Sequence, residues 1–161
     1  KRFSNNSEIE IVTPDEPGEV LVVSGKVMDE SGKPIHRAQI YAFHTDLQGN
    51  YSSSGGNVGS MGDSLNPRLF GYLRTAEDGT YQIKTIHPGQ YPGQGPPAHI
   101  QFYVSAPEYE KLETEMMFEG DSRLSEKNRG NFLSAGFTIA KPSPNSKGEK
   151  ECKCDFTLRK E

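Results

Sequence analysis

Tyrosine and histidine are spaced so that they could share one metal ion in the stretch His87-Pro88-Gly89-Gln90-Tyr91-Pro92-Gly93-Gln94-Gly95-Pro96-Pro97-Ala98-His99-Ile100-Gln101. The prolines restrict the backbone around Tyr91. The extended run after Pro97 turns His99 and Gln101 to one side, because side chains alternate along a strand. A phenol is a poor ligand near neutral pH, since its proton leaves with a pKa of about 10. A hard, strongly Lewis-acidic ion such as ferric iron removes that proton, and tyrosinate with imidazole is then a coherent donor set. The same residues also admit a purely structural reading, with Tyr91 packed in a Pro-Gly loop and His99 hydrogen-bonded within its strand. Of the other histidines, His44 closes a strand near the loop that carries Tyr51 and could reach such an ion. His87 opens a turn and reads as solvent-facing or structural, and His36 reads as exposed.

The elements that must position these residues are short strands. Val20-Leu21-Val22-Val23 leads through Gly25 to Val27 and Met28, and Asp29-Glu30-Ser31-Gly32 closes that run. Residues 38–44 read as a strand with apolar residues on both faces. Asp78-Gly79 is a hairpin turn between a strand at 72–75 and one at 81–84. Further strands are predicted over 99–104, 114–118, 137–140 and 152–158, with a helical turn over 107–112. Two segments, 52–69 and 88–97, have no strand pattern and are the candidate site walls. Residues 142–150 read as a solvated hairpin loop. Seven or eight short strands with Gly/Pro punctuation predict an all-β fold, an antiparallel β-sandwich with long site-forming loops. Residues 1–18 are polar and read as a tether or extended arm ahead of a sandwich domain over 19–161.

Composition limits the function classes. The chain has 161 residues, enough for one domain with a real core. A hydrophobic share of 32 % together with 17 Gly lies just under the usual globular range and excludes wholesale disorder. With 22 acidic against 18 basic residues the formal charge is -4, and no basic block is present. Nucleic acid and anionic membrane are therefore poor partners, and no apolar run is long enough to span a membrane. The two cysteines, Cys152 and Cys154, are too close in sequence for a disulfide to close a useful loop. They read as small buried residues on one face of a strand with Phe156 and Leu158, with a metal pair as the alternative.

Several motifs carry a family resemblance. Gly25-Lys26-Val27-Met28-Asp29-Glu30-Ser31-Gly32-Lys33-Pro34, then Gly49-Asn50-Tyr51, then Thr75-Ala76-Glu77-Asp78-Gly79-Thr80-Tyr81 resemble the intradiol ring-cleavage dioxygenases. So do Thr85-Ile86-His87-Pro88-Gly89-Gln90-Tyr91-Pro92, Pro97-Ala98-His99-Ile100 and Phe118-Glu119-Gly120-Asp121. The likeness, to protocatechuate and catechol dioxygenases, runs from about Gly18 to Leu158. It implies a mononuclear non-haem Fe(III) site with Tyr51, Tyr91 and His99 as ligands, Tyr91 also acting as the base.

The family's second histidine would fall where this chain has Gln101, so Gln101 or Glu115 is the substitute ligand or pocket residue. Pro96 stands where an arginine is common, Glu115 where a glutamine is, and the family's tryptophan near Phe43 is missing. The implied activity is Fe(III)-dependent opening of a small aromatic diol by O2 to a muconate-type diacid, with a homo-oligomer as a further expectation. The alternative is a non-catalytic binding or surface module that kept the fold and lost the metal. The start at Lys1 and the polar lead-in slightly favour a periplasmic protein or lipoprotein over a cytoplasmic one.

Overall fold

The computed structural model describes residues 4–52 and 67–161. Most of the candidate wall at 52–69 therefore lies outside the described residues. Among those described, eleven short strands form two packed sheets. One sheet runs in the order β1 (Glu8–Glu10), β5 (Thr80–Ile86), β2 (Val20–Asp29), β10 (Lys150–Lys153) and β9 (Ser143–Pro144), with β11 (Phe156–Leu158) also on β2. The other runs β4 (Leu69–Arg74), β3 (Gln39–His44), β6 (His99–Ser105), β7 (Leu112–Phe118) and β8 (Thr138–Ala140).

Alternation builds the core. Ile40 and Ala42 of β3, Ile100, Phe102 and Val104 of β6, and Met116 and Phe118 of β7 point inward. They meet Leu21, Val23 and Val27 of β2, Tyr81 and Ile83 of β5, and Cys152, Cys154, Phe156 and Leu158. Both cysteines are free and buried, as the alternation required. Burial pushes their thiols up to about 11 and about 12, so they are inert filling rather than ligands.

The sandwich is the predicted one, and its central pairs β2–β5, β3–β4, β3–β6 and β6–β7 are antiparallel. The edges differ, because β1 lies parallel to β5, β10 and β11 parallel to β2, and β8 parallel to β7. These strands arrive from across the molecule rather than through hairpins, so nothing forces a reversal of direction. The arm before β2 is laid along the sheet, with Ile9 and Ile11 packed on the core.

The run at 152–158 is two strands because the chain steps past Gly25. A Cβ there would lie 2.0 Å from the Cys154 carbonyl oxygen. Cys154 N–H donates to Ser24 O, and Lys26 N–H donates to Asp155 Oδ1 across the step.

The helical turn expected at 107–112 is a correction. Glu108 takes a φ of 75°, outside the right-handed helical region, and the chain turns there into β7. The helix is instead α1 (Glu126–Ser134), started by a reciprocal Ser125–Asn128 cap. None of its residues is buried, so it left no amphipathic period in the sequence.

Candidate functional site

Two loops meet at the end of the second sheet. The turn after β3 is held by Asp46, whose Oδ1 accepts the N–H groups of Gln48 and Asn50 at 3.0 Å each. This turn is laced to the loop after β5. Gly89 N–H donates to Asp46 O at 2.9 Å, and Thr45 Oγ1–H donates to Gly89 O at 2.7 Å. The approach is so close that a Cβ on Gly49 would sit 1.8 Å from Gln90 O. Gly49 also has a φ of +85°, which only glycine adopts at little cost. The lacing brings Tyr51, from one loop, against Tyr91, from the other.

The polar atoms then line up. Tyr51 Oη lies 2.8 Å from Tyr91 Oη, and Tyr91 Oη lies 3.3 Å from His99 Nε2. His99 Nδ1 is 2.9 Å from Pro97 O. A carbonyl only accepts, so Nδ1 carries the proton and Nε2 presents its lone pair to Tyr91. Tyr91 O–H donates to that nitrogen, and Tyr51 O–H donates to Tyr91. Tyr51 is only 1 % exposed. Burial first, and then the bond to Tyr91, raise its phenol far above the ordinary range. Burial is also the main reason that Tyr91 is raised. Both phenols are thus neutral unless a cation compensates their ionisation.

Gln101 follows on the same face of β6 as His99, half-buried, with Phe43 opposite it on β3 and Glu115 opposite on β7. The Phe43 ring lies 5.8 Å from that of Tyr51. Tyr51, Tyr91 and His99 are therefore brought together by direct bonds, with Gln101 and Glu115 beside them on the sheet. His44 is not part of the group. It is fully buried, donates from Nδ1 to Thr45 O at 2.7 Å and accepts from Thr85 Oγ1 at Nε2 at 2.6 Å. With both ring nitrogens taken, it cannot reach an ion at the tyrosines. His87 packs on Phe118, ring centroids 4.2 Å apart.

A family model described as a dioxygenase matches residues 3–129. Catechol 1,2-dioxygenase 2 of Acinetobacter lwoffii is 34 % identical over 127 aligned positions, with 68 % of this chain and 43 % of that protein covered. The protocatechuate 3,4-dioxygenase beta chain of Burkholderia cepacia is 34 % identical over 116 aligned positions, with 67 % of this chain and 48 % of that one covered. The chain belongs to the intradiol ring-cleavage dioxygenase family. It spans less than half the length of those two relatives. The dioxygenase domain of a dioxygenase carbohydrate-binding protein fusion from Streptomyces sp. SirexAA-E superposes with a TM-score of 0.74 at 26 % identity, over 100 % of this chain and 94 % of that one. Catechol 1,2-dioxygenase from Acinetobacter sp. ADP1 shares the fold, with a TM-score of 0.72 at 21 % identity over 96 % of this chain and 57 % of that one.

Within this intradiol scaffold two positioning residues had no assigned role at the sequence level. Asp121, after β7, accepts from Ala98 N–H at 3.0 Å and from Gln90 Nε2–H at 2.7 Å. It thereby ties down both ends of the Tyr91 loop. Arg123 spans the same loop, donating to the carbonyls of Tyr91 (3.0 Å) and Gly93. A guanidinium thus lies beside the loop that bears Pro96, where the family commonly carries its own arginine, but it is spent on backbone carbonyls. Asp121 was visible in the Phe118-Glu119-Gly120-Asp121 motif. Arg123 left no signal, because its partners lie about thirty residues upstream.

Among the described residues no group of three or more His, Cys, Asp or Glu side chains is placed to hold a metal. The donor set is phenolic instead. Three oxygen and nitrogen atoms within 2.8 and 3.3 Å of their neighbours suit a small, hard, highly charged ion, the kind that ionises phenols.

Proposed function

We propose that this chain is an Fe(III)-dependent intradiol ring-cleavage enzyme that opens a catechol-type aromatic diol with O2 to a muconate-type diacid. The observation that carries it is the phenol–phenol–imidazole line of Tyr51, Tyr91 and His99, joined at 2.8 and 3.3 Å. Tyr51, Tyr91 and His99 would hold the ion. Ferric iron bound there would supply the Lewis acidity that ionises the diol and makes its ring reactive toward O2.

The side chains divide the remaining work. Tyr51 is buried and stays in place. His99 is locked in one tautomer by Pro97 O, so its Nε2 is always the donor atom. Tyr91 is only half-buried and, ionised in the loaded site, would take one proton from the incoming diol at its phenolate oxygen as general base, the other passing to solvent. Both oxygen atoms of O2 enter the product as the bond between the two hydroxylated carbons breaks, so no external reductant is needed. Phe43, beside Tyr51, supplies an apolar wall for the ring.

Reconstitution tests the reading. Apoprotein titrated with ferric iron is expected to turn red through tyrosinate-to-iron charge transfer, and catechol is expected to drive O2 uptake. A second reading, a binding module without chemistry, draws on Gln101 and Pro96, which stand where the family places histidine and arginine. A protein that stays colourless with excess iron would support that reading and sink the first.

A further inference from the structure

Gln101 leaves the proposed iron site one strong donor short, because a neutral amide is a weak ligand for a hard trivalent ion. The sheet supplies a candidate directly across from it. In the β6–β7 ladder Gln101 and Glu115 are register partners, flanked by His99↔Met117 and Tyr103↔Glu113. Side chains directly opposite in an antiparallel pair have Cβ atoms about 4.5–5.5 Å apart. Glu115 therefore rises from the same face, one strand over, and has three side-chain torsions with which to lean toward the tyrosines. It is half-buried, and neither a hydrogen bond nor an ion pair engages its carboxylate among the described residues. Its negative charge is already felt at the site, since it adds to the raising of both the Tyr51 and the Tyr91 phenols. Without a cation the two phenols stay neutral beside this one carboxylate, and a cation joining them is what would let both ionise.

We propose that Glu115 supplies the fourth protein ligand to ferric iron alongside Tyr51, Tyr91 and His99, while Gln101 takes no part in coordination. The proposal rests on the ferric reading above. Its chemistry has a definite consequence. Two tyrosinates and one carboxylate neutralise the three charges of the ion, whereas two tyrosinates and two imidazoles leave one positive charge. The neutral site is richer in electron density, so its charge-transfer band lies at higher energy than that of a site with a second histidine.

The test uses ferric titration followed by visible absorption and by electron paramagnetic resonance, with thermal melts as the folding control. Four proteins are compared: the wild type, Glu115→Gln, Gln101→Ala, and the double variant Glu115→Gln/Gln101→His. Glu115→Gln keeps the shape of the side chain, so its melt should match that of wild type. Its ferric affinity is expected to fall by roughly 100-fold, at or above the upper end of what loss of a supporting partner costs a metal site. Gln101→Ala is expected to bind like wild type. The double variant is expected to regain affinity with the band moved to lower energy. Equal binding by wild type and Glu115→Gln, or an equal loss in Gln101→Ala, overturns the role of Glu115 and leaves the ferric reading intact. A wild type that takes up no ferric iron overturns the ferric reading, and the assignment of Glu115 falls with it.

Discussion

At the scale of single residues the site is a short chain of hydrogen bonds from Tyr51 to Tyr91 to His99 Nε2. The two phenols differ in how they are held, and that difference can be measured. Tyr51→Phe deletes the donor at the buried end of these bonds, at a position 1 % exposed. It is expected to lower stability by about 1 kcal/mol, the usual net worth of one internal hydrogen bond. Tyr91→Phe removes a hydroxyl that accepts from Tyr51 and donates to His99, two buried partners 1 % and 7 % exposed, so its urea midpoint should fall further. Urea denaturation of both apoproteins checks the order, and the opposite ranking would mean that Tyr51 and His99 find other partners once the Tyr91 hydroxyl is gone. The spacing of Tyr91 and His99 was legible in the sequence because it is local, set by prolines and strand parity. The exclusion of His44 was not legible. It depends on Thr85, forty-one residues away and in the other sheet.

At the scale of elements the site depends on two loops being laced together, and glycine permits the lacing. Gly49 and Gly32 have nearly the same backbone conformation, φ +85° and +86°, but a Cβ at Gly49 meets Gln90 O whereas a Cβ at Gly32 meets nothing within 4 Å. Gly32→Ala should therefore cost only the left-handed penalty, about 1 kcal/mol. Gly49→Ala should cost that and a backbone collision besides, about 3 kcal/mol or more. Paired urea midpoints check the difference. Equal losses would show that the loops part easily, and Tyr91 would then lack a fixed seat. Strands were readable from alternation and turn residues, as at Asp78-Gly79. The parallel edges and α1 were not, since edge pairing is decided between distant segments and α1 buries no apolar face.

At the scale of the whole molecule the two sheets are pinned together by a buried imidazole. His44 of β3 bonds Thr85 of β5, and burial lowers its pKa from 6.5 to about 4. The sign follows from the depressed value. Above about pH 6.5 neither state is charged, and His44 adds no pH dependence. As pH falls from there toward 4, the unfolded chain takes up a proton that the folded chain refuses, so stability declines. Below about pH 4 the loss is complete, on the order of 3 kcal/mol for a shift of this size. Urea midpoints for wild type and His44→Gln at about pH 7 and about pH 4.5 check this, and the variant should show a flatter decline. An unchanged slope in His44→Gln would assign the decline to other groups.

The step past Gly25 reaches beyond the native state, into the order in which the molecule can be built. One edge of β2 finds its partner β5 about sixty residues on, but its other edge is closed only by residues 150–158, some 130 residues downstream. A growing chain therefore emerges with a long apolar strand that stays half-covered until nearly all of the sandwich has been synthesised. Pairing at such separations is slow, because loop closure must precede any gain from contact. During that wait the open edge of β2 is the surface on which two nascent chains would join. Rapid overproduction should thus favour aggregates seeded at β2, and slower synthesis the soluble sandwich.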